Sequence, residues 1–130
     1  MKMDGDLRLV KWVFFLLILF LMPCYGLSAE EWDKGGNLHN ASVYRWAKAS
    51  ETNRLATSAD LFLAMTKESN PALQKELKAM DKSDYEAAFK YYATRLERCV
   101  SETIEKKTVR AEDKVSVYAD KCYQILHGND

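Results

Sequence analysis

From Tyr85 onward the apolar positions keep a helical rhythm. Tyr85, Phe89, Tyr92, Leu96, Cys99 and Thr103 follow one another at steps of 4, 3, 4, 3 and 4, the spacing that holds one stripe of a helix toward a partner. Ser83 and Glu86 have the form of a capping box, and no Gly or Pro interrupts the chain to Glu105, so the pattern predicts a helix of about six turns. A second stripe runs through Ala111, Val115, Tyr118, Cys122 and Ile125 and closes at His127 and Gly128, where the glycine is free to take a left-handed C-terminal cap. Folding the chain back near residues 110 and 111 sets Cys99 opposite Cys122, Thr103 near Tyr118 and Leu96 near Ile125. The expectation is an antiparallel helical hairpin cross-linked by a Cys99–Cys122 disulfide. A bridge needs Cα atoms about 4.4–6.8 Å apart, less than the usual 8–10 Å between helix axes. The helices must therefore approach closely there, or the bridge must lie at the edge of the seam.

Upstream the stripes are shorter. Val43, Trp46, Ala47 and Ser50 share one face of a helix that Ser42 can cap. A turn or kink around residues 50–53 leads to a second helix from Arg54 to Thr66, with Leu55, Ala59, Phe62 and Met65 as its stripe and Thr57-Ser58 as a point where it could be interrupted or re-capped. Asn70-Pro71 is a fresh start, with Asn70 as cap and Pro71 in the first helical position, and Leu73, Leu77 and Met80 form the apolar face behind it. No stretch alternates as a strand does. The predicted fold class is all-α: a small bundle of four or five helices with a C-terminal helical hairpin held by one disulfide.

The first thirty residues bear on compartment. Lys2, Arg8 and Lys11 precede an unbroken apolar run of 11 residues from Trp12 to Met22; Pro23 ends it and Gly26-Leu27-Ser28-Ala29 offers small residues for cleavage. This has the form of a signal peptide, and the run is short of the roughly 20 residues a spanning helix needs. The expected organisation is a signal peptide over 1–29, a flexible lead-in over 30–41 containing Gly35-Gly36, and a helical domain over 42–130. The protein would then be periplasmic or secreted; an uncleaved N-terminal anchor is the alternative, and the only expected route to a membrane. Cys24 follows Leu21-Met22-Pro23, which lacks the small residues a lipidation signal wants, so it should leave with the leader and an even pair of cysteines remain. Lys+Arg and Asp+Glu each number 19; setting aside Lys2, Arg8, Lys11, Asp4 and Asp6 leaves 16 against 17. Such a balance, with interspersed signs, argues against nucleic acid as a partner.

Candidate chemistry is sparse. The most distinctive wording is Leu38-His39-Asn40-Ala41, then Trp46, then Asn53-Arg54-Leu55-Ala56-Thr57-Ser58-Ala59-Asp60. It resembles a pattern in small exported bacterial proteins of uncharacterised function, over about 25 residues, and the resemblance implies a bacterial envelope protein without implying an activity. Two readings fit these residues. In one, Ala56 and Ala59 allow close helix packing while Asn53, Arg54 and Asp60 bond to neighbouring groups. In the other, His39, Trp46, Asn53, Arg54 and Asp60 form a shallow polar site for a peptide or small anion, Trp and Arg being residue types that anchor interfaces. A His39–Asp60–Ser58 relay can be drawn without support from spacing. His127 at a helix end reads as a cation favoured by the macrodipole, and Tyr85, Tyr92 and Tyr118 read as core. Asn40-Ala41-Ser42 fits a glycosylation sequon. The acidic group Glu30, Glu31 and Asp33 reads as solvated carboxylates, and no metal, cofactor or catalytic motif is expected.

The leading expectation is a non-enzymatic exported binding or adaptor protein acting on a protein or peptide. A second is an acid-type holdase, similar in outline to the small periplasmic chaperones of the HdeA kind, which are also short, helical and disulfide-linked. Their cysteine directly after a Trp-Thr is missing from this sequence, so the likeness is one of architecture. A hydrolase, or an inhibitor of one, is the third class.

Overall fold

The computed structural model describes residues 31–106 and 108–128; the leader expected over 1–29, with Cys24 and its cleavage site, lies outside them. Among the described residues there are five helices: α1 Val43–Lys48, α2 Glu51–Ser69, α3 Pro71–Ala79, α4 Lys82–Lys106 and α5 Val115–His127. The fold is all-α; among the described residues its one β-type contact is an isolated bridge between Ser42 and Lys114. The core sits where α2, α4 and α5 meet, built from Ala59 and Phe62 on α2, Phe89, Ala93, Leu96 and Val100 on α4, and Val115, Ala119, Cys122 and Tyr123 on α5. Leu77 of α3 and Trp46 of α1 close it from the sides. Burying a large apolar side chain contributes about 1.5–3 kcal/mol, so this cluster outweighs any single polar contact in the molecule.

The caps show why the helices begin where they do. Ser42 Oγ accepts from Arg45 N–H at 3.2 Å and Asn70 Oδ1 from Leu73 N–H at 3.0 Å, as their side-chain types predict. Ser50 Oγ caps α2 through Asn53 N–H at 3.2 Å, so α2 starts at Glu51 rather than at Arg54, and the expected kink shrinks to Ala49-Ser50. Thr57 and Ser58 do not interrupt α2; both are buried within it. At α4 the expected Ser83 box gives way to Asp81, whose carboxylate accepts from Asp84 N–H at 2.9 Å. Only Met80 and Asp81 separate α3 from α4, so the new helix must start at once, and a charged oxygen is a strong acceptor for its first amides.

The hairpin forms as expected, with the bridge at the seam's edge. Cys99 and Cys122 are joined with Cα atoms 5.9 Å apart, Cys122 buried and Cys99 half-buried. The centre of α4's buried face is Ala93, Leu96 and Val100 rather than the tyrosine-bearing edge. On α5 the expected stripe is turned: Ala119 and Tyr123 face inward, whereas Ile125 is 70% exposed and does not meet Leu96 in the core. The cause is that α5 packs on two helices, with Tyr123 sharing a 2.9 Å hydroxyl hydrogen bond with Thr66 of α2. Ala111 lies in a turn ahead of α5, and Gly128 keeps a right-handed conformation (φ −95°) while its N–H bonds Gln124 O at 2.7 Å.

The lead-in expected over 30–41 is, from Glu31 on, part of the packed unit. Leu38 and Ala41 are buried, and Trp32 lies 5.1 Å from the Phe89 ring centre. Gly36 runs directly over α2, where a Cβ would come within 2.5 Å of Thr57 N; no side chain fits there without displacing backbone. The loop before α5 is fixed to the same region by main-chain bonds, Val43 N–H to Asp113 O at 2.8 Å and Val115 N–H to Ala41 O at 3.0 Å. The second of these satisfies a first-turn amide of α5, whose N-cap residue Lys114 makes no side-chain capping bond.

The Cys99–Cys122 bridge spans 23 residues, and in the chain-entropy model such a closure stabilises by about 3 kcal/mol. Reduction, or a paired Cys99→Ser, Cys122→Ser change, is expected to lower unfolding free energy by roughly 2–4 kcal/mol, measured by denaturant titration with and without reductant.

Candidate functional site

The distinctive stretch divides into two polar arrangements. In the first, three consecutive lead-in residues meet one face of α2. Asn37 N–H donates to Asn53 Oδ1 at 3.1 Å, and Asn53 Nδ2 donates back to Asn37 Oδ1 at 2.9 Å. Leu38 N–H donates to Thr57 Oγ1 at 3.2 Å, and His39 Nε2 stands 2.8 Å from Asp60 Oδ2. Residues 53, 57 and 60 are spaced 4 and 3 apart, one stripe of the helix. This seam satisfies the backbone of a segment that belongs to no helix or strand, which an otherwise apolar docking site could not do.

In the second, Trp46 is only 1% exposed, and its indole N–H donates to Ser101 Oγ at 3.1 Å. Ser101 donates to Glu97 Oε1 at 2.8 Å, the oxygen that also accepts from Arg54 Nε at 3.0 Å. Arg54 Nη1 donates to Ala49 O at 2.7 Å, tying the α1–α2 junction to α4. Of the five residues singled out by sequence, the structure therefore brings His39, Asn53 and Asp60 to one seam and Trp46 and Arg54 to another network. Trp46 has no face toward solvent, and Arg54 is engaged by Glu97 and Ala49. The bonding each makes inside the fold is what the packing reading describes. Ser58 Oγ is buried without a hydrogen-bond partner, so it is not joined to the half-exposed His39–Asp60 pair and no relay exists. No three metal-ligating side chains cluster among the described residues.

A different surface has the character of a site. An open groove of about 400 Å³ lies along α4 and is lined by Arg95, Arg98, Cys99, Glu102, Thr103 and Lys106, with Leu126 of α5 opposite. Leu126 also lines a second groove of about 290 Å³ that includes Leu73 and Glu76 of α3 together with Ile125 and His127, so the last turn of α5 is the ridge between the two. Tyr91, 58% exposed, stands next to this groove's Arg95, whose guanidinium is 5.4 Å from its ring centre. Sequence reasoning missed this surface, although Tyr91, Arg95, Arg98 and Glu102 repeat at 4, 3 and 4 on the side of α4 away from its core stripe.

At the end of the ridge His127 lies among aromatic rings: Tyr123 at 4.9 Å, Tyr92 at 5.3 Å and Phe62 at 5.7 Å between centroids. Burial there, with Arg95 nearby, holds its pKa below the ordinary imidazole value. The direction is opposite to that of the helix-end cation expected from sequence, because loss of solvent disfavours the charged form. Tyr118 has the reverse shift: its hydroxyl donates to Asp113 Oδ2 at 2.8 Å, which raises the phenol pKa.

Two outcomes follow for mutants. Glu97→Ala leaves the half-buried Arg54 guanidinium without its carboxylate and is expected to cost roughly 1–3 kcal/mol, whereas His39→Ala at the half-exposed pair should cost under about 1 kcal/mol; both are read by denaturant unfolding. Because the folded pKa of His127 lies below the unfolded one, its contribution is complete above about pH 6.5 and declines as pH falls below it, levelling once the folded imidazole is protonated. Arg95 from α4, Glu76 from α3 and the Tyr92 and Tyr123 phenols are the other ionisable groups around it. His127→Phe should therefore flatten the acid limb of a Tm-against-pH curve. No protein-family model, curated protein or solved structure matches the chain.

Proposed function

We propose that the protein is a non-enzymatic, exported binding protein that engages a protein partner through the outer face of the α4–α5 hairpin. The observation that carries this reading is the exposure of Ile125 in one open groove and of Tyr91 against Arg95, which lines the other. Large apolar and aromatic side chains left in water next to concave surface, with arginines at hand, are the composition of binding hot spots. The polar residues of the Leu38–Asp60 stretch bond to one another and to α4, at the surface and beneath it, and in this reading serve as scaffold. The disulfide suggests a compartment outside the cytoplasm, and among the described residues no helix is long and apolar enough to cross a membrane. Periplasmic or secreted placement is the finer reading, supported by the form of the first 29 residues and by the resemblance to exported bacterial proteins.

A second reading, an acid-triggered holdase, is favoured by His127, whose lowered pKa makes its seat among the Phe62, Tyr92 and Tyr123 rings sensitive to acid. One experiment separates the two. The tagged mature domain is used to capture partners from its own envelope extract near neutral pH and at about pH 3, beside an Ile125→Asp, Tyr91→Ala variant. A recurrent partner at neutral pH, lost in the variant, is expected. Many clients at acid pH alone, with dye binding and loss of near-ultraviolet signal, would replace the binding reading with the holdase, and a partner retained by the variant would remove this face from the account.

A further inference from the structure

We infer that the groove between α4 and the last turn of α5 receives an acidic, extended peptide segment carrying a large apolar side chain; this rests on the reading that the α4–α5 face binds a protein. The groove has two chemistries. Its half-buried lining is Cys99, Thr103 and Leu126, and its exposed lining holds three cations, Arg95, Arg98 and Lys106, against one carboxylate, Glu102. Glu102 stands 4.0 Å from Lys106 in an exposed pair, which leaves both arginines free to meet a ligand. That local excess departs from the chain as a whole, where basic and acidic side chains are equal in number.

The geometry narrows the ligand further. Arg95 is backed by the Tyr91 ring, an arrangement that orients a guanidinium while leaving its N–H edge to grip a carboxylate in bidentate fashion. Arg98 is one turn further along the same side of α4, so the two forks address two acidic side chains that flank a third residue on an extended chain. The half-buried lining gives an intervening large side chain its burial, and the disulfide fixes the groove's width by holding α5 against α4. Three cations in one groove are too few to track a polyanion, and a small inorganic anion would leave the half-buried lining uncovered; an acidic peptide with one apolar anchor uses both parts.

The test uses the disulfide-intact mature domain and a fluorescein-labelled hexapeptide of Glu and Asp with one central Leu, followed by anisotropy. Saturable binding is expected, weakened by added salt, weakened about tenfold by Arg95→Glu with Arg98→Glu, and weakened again when the peptide's Leu is replaced by Ser. The same peptide with Lys for its acids should not bind, and Lys75→Glu on α3 should leave binding unchanged. Unaltered circular dichroism and Tm of the double variant, whose changed side chains are exposed, confirm that the loss is local. Absence of saturable binding, equal binding of the Lys peptide, or indifference to the double charge reversal overturns the inference. So does binding of dodecanoate in place of the peptide, which would assign the groove to an anionic amphiphile. If the partner captured from extract depends on Tyr91 and Ile125 but not on Arg95 and Arg98, the face stands as a binding face and the acidic-segment inference alone fails.

Discussion

The Cys99–Cys122 bond is the constraint on which this structure depends most. α5 is short, its N-cap residue offers no side-chain capping bond, and it follows a loop whose main-chain bonds reach back to Ala41 and Val43. An isolated helix of 13 residues is marginal in water. Its retention on α4 comes from the bridge together with Tyr123 and Cys122 entering the core. With Cα atoms 5.9 Å apart, the bridge also sets how close α5 lies to α4, and so the width of the groove beside it. Stability and the proposed site share one bond.

Polar groups do most of the positioning elsewhere. The Asn37–Asn53, Leu38–Thr57 and His39–Asp60 contacts lay the lead-in along α2, and the Trp46–Ser101–Glu97–Arg54 network joins α1, α2 and α4. Individually such bonds add about a kilocalorie per mole over water. Their larger effect is specificity, because displacing Leu38 from Thr57 or Trp46 from Ser101 would leave buried or half-buried groups unpaired. A stretch rich in Asn, Arg, Thr, Asp and Trp can thus look like a binding site in sequence while its polar groups also bond to one another within the fold.

Helix existence, the Ser42 and Asn70 caps, the long fourth helix and the disulfide were all legible in sequence, because each rests on local spacing or on two cysteines that a symmetric fold-back sets opposite one another. What was not legible depended on how many neighbours a helix has. The α5 stripe was drawn for one partner; with α2 as a second, the buried face turns to include Ala119 and Tyr123 and puts Ile125 in solvent. The lead-in has no periodicity because it docks by main-chain bonds and close approach at Gly36, neither of which leaves a hydrophobic pattern. The surroundings of His127 are illegible for the same reason: its aromatic neighbours come from three separate helices. The α4 groove needed the position of Leu126, which no spacing on α4 reveals.

The central claim is that the outer α4–α5 face meets a partner while the Leu38–Asp60 stretch serves the fold. Site-specific photo-crosslinking in the protein's own host tests it most directly, with a benzophenone side chain placed in turn at positions 125, 91, 39 and 60. The account predicts a discrete protein adduct from Ile125 and Tyr91 and none from His39 or Asp60. Adducts from His39 and Asp60, with none from Ile125 and Tyr91, would contradict it.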